Sequence, residues 1–135
     1  MNPPTGKPWV VHEEDCPEES SEALGPGRVT WRTLISGDRT PSTALTAGIA
    51  EVAPGASGPI QPHHHPEPEV YYVVSGCGEV YIDGVTYPLR PGSAVFIPGG
   101  AQHTAINTAD EVLRLFYVFP ANAFGDIEYT YSSDY

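Results

Sequence analysis

The chain has few basic residues and few cysteines. Six lysines and arginines stand against 17 aspartates and glutamates, and the formal net charge is −11. A surface with this charge repels a phosphate backbone, and no basic stripe offsets the repulsion, so we expect no nucleic-acid partner. The two cysteines, Cys16 and Cys77, form no CxxC pair. We therefore expect two free thiols and no disulfide.

Long apolar runs are also missing. No uninterrupted apolar stretch approaches the ~20 residues that a membrane-spanning helix needs. A secretory leader has a basic segment followed by an apolar one. The opening residues, MNPPTGKPWV, do not show this pattern. We therefore expect a soluble, cytoplasmic protein with no membrane partner.

The length of 135 residues suits one domain with one hydrophobic core. Residues 1–27 are polar and acidic, which predicts an N-terminal arm that is flexible or adds as a strand to a partner subunit. Residues 28–135 are predicted to form a single β-barrel.

Short apolar runs, separated by turn residues, fill the chain after residue 28. Fifteen prolines and 14 glycines are dispersed between these runs. The Asp83-Gly84 pair is a strong signal for a two-residue hairpin turn. Strands are predicted for VTWRTLIS, TALTAGIAEV, EVYYVV, GEVYI, VTYPL, AVFI, HTAIN and VLRLFYVF. This pattern predicts an all-β sandwich or barrel.

Four potential metal ligands occur in two parts of the sequence. Because side chains alternate along a strand, His63 and His65 are expected on one face and His64 on the other. Glu69 follows a proline-containing bend and is expected to return to the same interior. His103 follows the turn IPGG. Three imidazoles and a carboxylate suit one divalent ion of zinc, iron, manganese or nickel.

The spacing of these residues resembles the two motifs of the cupin superfamily. The stretch from Gly58 to Gly76 resembles the first motif, although the family's opening glycine would fall at Ser57. The stretch from Gly92 to Asn107 resembles the second motif at each of its fixed positions. The resemblance implies a small single-domain jelly-roll β-barrel with its metal near one mouth, commonly in a homodimer.

A tyrosine lies close to the predicted metal. Tyr71 is two residues beyond Glu69 and is expected on the same inward face, where a phenol of lowered pKa could remove a proton from a bound small-molecule substrate. The order of segments over residues 29–131 resembles the cupin-type dimethylsulfoniopropionate lyases. In that family a tyrosine removes the proton beside a metal-bound carboxylate, and dimethyl sulfide leaves by β-elimination. The resemblance makes Tyr71 the catalytic base candidate and Tyr129 a second catalytic tyrosine.

Other functions fit the same ligand set. Some single-domain cupins are aromatic polyketide cyclases of antibiotic pathways, whose pocket must accept a large, flat, apolar chain. Metal-dependent oxygenation and ligand binding without catalysis are further alternatives. The candidate aromatic lining of such a pocket is Trp31, Tyr71, Tyr87, Phe96, Tyr117 and Phe119.

Overall fold

The computed structural model describes residues 6–21, 28–55 and 57–131. Within these ranges the regular structure is strand, apart from 3-10 turns at Glu13–Asp15 and Phe124–Asp126, and no helix is long and apolar enough to cross a bilayer. The strands are β1 (Glu19–Ser20), β2 (Val29–Ile35), β3 (Thr46–Val52), β4 (Ser57–His64), β5 (Glu69–Ser75), β6 (Gly78–Ile82), β7 (Val85–Leu89), β8 (Ala94–Ile97), β9 (His103–Ile106), β10 (Leu113–Phe119) and β11 (Thr130–Tyr131). The all-β prediction is confirmed.

Two antiparallel sheets face each other. One has six strands in the order β1-β2-β3-β10-β5-β8, and the other has five in the order β11-β4-β9-β6-β7. The two shortest strands, β1 and β11, each lie at an edge of one sheet. This two-sheet arrangement is the predicted jelly roll.

Side chains alternate strictly between core and surface along β5. Glu69, Tyr71 and Val73 are buried, whereas Val70 and Tyr72 on the opposite face are 38% and 48% exposed. The expected inward orientation of Glu69 and Tyr71 is thus confirmed. The outward face carries exposed apolar side chains, but the homodimer stays a prediction.

The predicted hairpin turn joins β6 and β7. Asp83 and Gly84 have φ angles of +44° and +88°, the left-handed pair that a type I′ turn requires. The backbone N–H of Gln102 donates a 2.8 Å hydrogen bond to Oδ1 of Asp83. The turn is therefore fastened to the loop that leads into β9.

The described part of the acidic arm, residues 6–21, folds back on the same chain. Glu19 of β1 pairs with Trp31 of β2, and its carboxylate accepts two 3.0 Å hydrogen bonds from Arg39. Arg114 forms a second ion pair with Glu13. The arm boundary at residue 27 stays a prediction. Cys16 of the arm is a buried free thiol.

Candidate metal centre

Strands β4 and β9 bring three histidines together between the sheets. His63 pairs with His103 across the two strands, and His65 follows the end of β4. All three are buried, and one ring nitrogen from each lies within 4.8 Å of the others. His64, between the first two, does not belong to this cluster. The strand alternation proposed from the sequence accounts for this arrangement.

Backbone carbonyls orient two of the imidazoles. Nδ1 of His65 lies 2.8 Å from the carbonyl oxygen of Glu67, and Nδ1 of His103 lies 2.9 Å from that of Ala101. A carbonyl oxygen only accepts hydrogen bonds, so both Nδ1 atoms donate. Each Nε2 is consequently turned towards the interior, as in metal sites whose ligands are held by an outer layer of hydrogen bonds.

Glu69 completes the predicted ligand set at the start of β5. Its Oε1 lies 3.3 Å from Nε2 of His65 and 3.3 Å from Nε2 of His103. With neutral imidazoles these three atoms would all present lone pairs to one another, and positive charge must relieve that repulsion. Protonated imidazoles or a metal cation would supply it. Glu69 as the fourth ligand stays a prediction.

The electrostatics of the cluster also suit a cation. Burial raises the pKa of Glu69, but hydrogen bonds from His103 and His65 outweigh it, so the pKa is lowered and the carboxylate stays ionised. Burial, followed by the charges of His103 and His65, lowers the pKa of His63 to about 2. His63 is therefore a neutral imidazole, which is the form that binds metals. Its buried Nδ1 has no hydrogen-bond partner within the described structure.

The two predicted catalytic tyrosines adjoin this cluster. The Tyr71 ring centroid lies 6.4 Å from that of His103, and the Tyr129 centroid lies 5.3 Å from those of both His63 and His65. Burial first, and the Glu69 charge second, raise the pKa of both phenols. The pKa of Tyr71 is thus raised, whereas the sequence led us to expect a lowered pKa. A positive charge beside Glu69 would be needed to lower it. The catalytic roles of both tyrosines stay predictions.

A cavity of about 410 Å³ opens beside the cluster. Ser20 and Ser21 of the arm form part of its wall, and Glu69 is the single carboxylate among its described lining residues, which include no lysine or arginine. Six of the lining residues are aromatic: Trp31, Tyr71, Tyr117, Phe124, Tyr129 and Tyr131.

The predicted aromatic lining is partly correct. Tyr87 and Phe96 do not line the cavity but lie on the surface, 49% and 66% exposed. Phe96 pairs with the exposed Val70 of β5 and so lies on the outer face of its sheet. Tyr87 pairs with the buried Val80 of β6, on the inner face, and is exposed because β7 is the edge strand of the other sheet. Phe119 is buried in the core behind the wall. Phe124 was missed because it lies in a 3-10 turn of the C-terminal segment, which has no strand periodicity.

A two-sheet jelly roll with a buried cluster of three histidines, consistent with a metal site, is a barrel of the cupin type. Residues 48–119 match the family model described as "Cupin domain". The chain belongs to the cupin family.

Two curated relatives and one solved structure extend this assignment. The chain is 37% identical over 126 residues to dimethylsulfoniopropionate lyase DddW of Ruegeria pomeroyi, covering 93% of this chain and 81% of that protein. It is 37% identical over 87 residues to protein SchB of Streptomyces halstedii, covering 64% of this chain and 62% of that one, which is less than two thirds of its length. The polyketide cyclase RemF of Streptomyces resistomycificus superposes with a TM-score of 0.77 at 25% identity, covering 95% of this chain and 89% of that one.

Proposed function

We propose that this cupin is a metal-dependent lyase that removes a proton next to a carboxylate or carbonyl, of the dimethylsulfoniopropionate lyase type. The buried cluster of three imidazoles within 4.8 Å of one another carries the proposal, because it adjoins a buried carboxylate and a cavity. The similarity to DddW over most of both chains supports the same reaction class.

The chain would hold a divalent ion on His63, His65 and His103, with Glu69 as the fourth ligand. When bound, the ion supplies Lewis-acid polarisation of a substrate carboxylate or carbonyl. Backbone acceptors fix the rings of His65 and His103 before any ion arrives. The site is therefore organised in advance, which reduces the ordering that accompanies binding.

Tyr71 is the proposed base because it is the more buried of the two tyrosines near the cluster, with 7% of its surface exposed. As phenolate it would take the proton from the carbon beside the carboxylate. The C–H electron pair forms the new double bond, and the carbon–sulfur bond breaks with its electrons going to dimethyl sulfide. Tyr129 covers the histidines and helps to exclude water from the reacting centre.

The test combines metal loading with product detection. Purified protein is loaded separately with zinc, iron, manganese or nickel and incubated with dimethylsulfoniopropionate, and headspace dimethyl sulfide and acrylate are measured. Tyr71→Phe should bind the ion normally and lose turnover about 100-fold or more. Tyr72→Phe is the matched control, because the neighbouring side chain is 48% exposed on the opposite face of β5. Full turnover in Tyr71→Phe would remove Tyr71 as the base.

A cyclase of aromatic polyketides is the second candidate. The similarity to RemF covers 95% of this chain, and the cavity wall carries six aromatic side chains, which suit a flat apolar substrate. Cyclisation uses the same proton removal next to a carbonyl, with ring closure in place of elimination. Conversion of a linear poly-β-ketone without release of dimethyl sulfide from dimethylsulfoniopropionate would favour this candidate.

A further inference from the structure

Residues 12–21 of the acidic arm form a strap beside the cavity. Their sequence, HEEDCPEESS, contains five acidic residues and no lysine or arginine. Ser20 and Ser21, at the end of the strap, form part of the cavity wall. Among these ten described residues only Cys16 is buried. The strap therefore has little apolar contact area that could hold it in place.

Arginines hold the strap to the barrel. Three of the five arginines in the chain contact it, although basic residues are scarce. Arg39 forms the bidentate pair with Glu19, Arg114 pairs with Glu13, and Arg32 donates to the carbonyl of Cys16. The Arg39 side chain is 48% exposed and that of Glu19 is 23% exposed. Ion pairs that water can reach in this way hold only weakly.

The remaining charges of the chain oppose the closed strap. The strap carries five of the 17 acidic residues, and the rest of the chain has 12 acidic residues against six basic ones. Two negatively charged parts repel each other, so closure depends on the few arginine contacts. The backbone pairing of β1 with β2 adds only two residue pairs. A segment with so few contacts opens at a small fraction of the cost of global unfolding.

We propose that the strap opens locally, without unfolding of the barrel, and that its opening controls the exchange of small molecules between the cavity and solvent. When the strap lifts, Ser20 and Ser21 leave the wall, and the cavity widens beside Trp31, which pairs with Glu19 in the closed form. The Glu19–Arg39 pair acts as the latch. This inference does not depend on the proposed function, because any molecule that fills the cavity meets the same wall.

A native thiol reports the opening. Cys16 lies within the strap and is 8% exposed, whereas Cys77 is an exposed free thiol that serves as the reference in the same sample. The protein is alkylated with iodoacetamide, which is uncharged, and mass spectrometry gives the ratio of the two rates. Glu19→Gln and Arg39→Gln should each raise the Cys16 to Cys77 ratio about threefold. The double variant should raise it no further, because either substitution removes the same pair. Glu79→Gln, on β6 of the other sheet, changes the charge equally and should keep the ratio.

A destabilised barrel distinguishes local opening from global unfolding. Asn107→Ala removes three hydrogen bonds made by a side chain outside the strap. If Cys16 reacts only through global unfolding, this variant should raise the ratio at least about 30-fold. Local opening predicts an unchanged ratio. A 30-fold rise in Asn107→Ala, or an unchanged ratio in both Glu19→Gln and Arg39→Gln, would overturn the inference.

A cysteine inside the cavity tests the control of access. Val52 lines the cavity and is 2% exposed, so Val52→Cys in a Cys16→Ser background reports entry of iodoacetamide. Addition of Glu19→Gln should accelerate its alkylation by the same factor of about three. Leu115→Cys, at another buried lining position, is used if Val52→Cys does not fold. An unchanged rate would overturn the control of access by the strap. These measurements need neither metal nor turnover, so failure of the lyase proposal would leave their outcome unaffected.

Discussion

Binding of one divalent ion per chain should stabilise the fold, and a single histidine substitution should remove most of that effect. His103 is the informative position because it is 1% exposed and its Nδ1 donates to the carbonyl of Ala101. Substitution by alanine would leave a cavity and an unpaired carbonyl, so loss of stability would mix with loss of metal. His103→Asn is the better variant, because the amide can still donate to that carbonyl.

The magnitude follows from mass action. An ion that binds only the folded chain, present at 100 times its dissociation constant, stabilises it by about 2.7 kcal/mol. For a chain of this length that corresponds to a rise in Tm of about 8 °C. Loss of one of three histidines should weaken binding by at least ~100-fold, because even outer-layer substitutions cost 10- to 100-fold. At the same ion concentration the variant then gains about 0.4 kcal/mol, or about 1 °C.

The assay compares Tm with and without the ion inside each variant, so that the intrinsic stability of each variant cancels. His64→Ala is the matched control, since His64 lies between His63 and His65 in the sequence but is not a member of the cluster. It should keep the full shift of about 8 °C. Metal analysis of the same samples should give about one ion per chain in the control and much less in His103→Asn. An unchanged shift in His103→Asn, or a lost shift in His64→Ala, would refute the assignment of the site.

Two further predictions concern stability. Asn107→Ala should lower the free energy of unfolding, measured by urea denaturation, by about 2 to 4 kcal/mol. The side-chain amide is 1% exposed, donates to the carbonyls of Val52 and Glu111, and accepts from the N–H of Ala109. A loss below about 1 kcal/mol would contradict this role. Glu19→Gln should cost about 1 kcal/mol at neutral pH, since the bidentate pair with Arg39 is partly exposed to solvent. The hydrogen bonds from Arg39 and Thr33 outweigh burial and lower the pKa of Glu19 from 4.5, so this contribution is present above pH 4.5 and is lost as the pH falls through the folded-state pKa. A difference between Glu19→Gln and the parent that does not change with pH would count against the pair.

The parts of the site that follow strand alternation could be predicted from the sequence. Period two places His63 and His65 together and turns Tyr71 inward behind Glu69, and the structure confirms both expectations. The meeting of His103 with His63 depends on strand pairing across 40 residues of chain. No local pattern encodes such a contact, and it was predicted through the spacing of the two cupin motifs.

Alternation did not help where a strand is apolar on both faces or too short to have a period. The segment AVFI has apolar residues at both parities, so the outward position of Phe96 could not be distinguished from an inward one. In VTYPL the residues Val85, Tyr87 and Leu89 share one parity, but β7 is an edge strand and Val85 and Tyr87 are each 49% exposed. Strand β1 has only two residues, and its acidic sequence resembles that of an unstructured arm. Its attachment depends on Arg39, which lies 20 residues further along the chain from Glu19.

The edge strands β1 and β11 come from opposite ends of the chain, and both contribute to the cavity wall through Ser20 and Tyr131. Two segments that lie far apart in the sequence thus form part of the same cavity wall. Exchange of these two strands offers a way to change the cavity wall without substituting any of the three histidines.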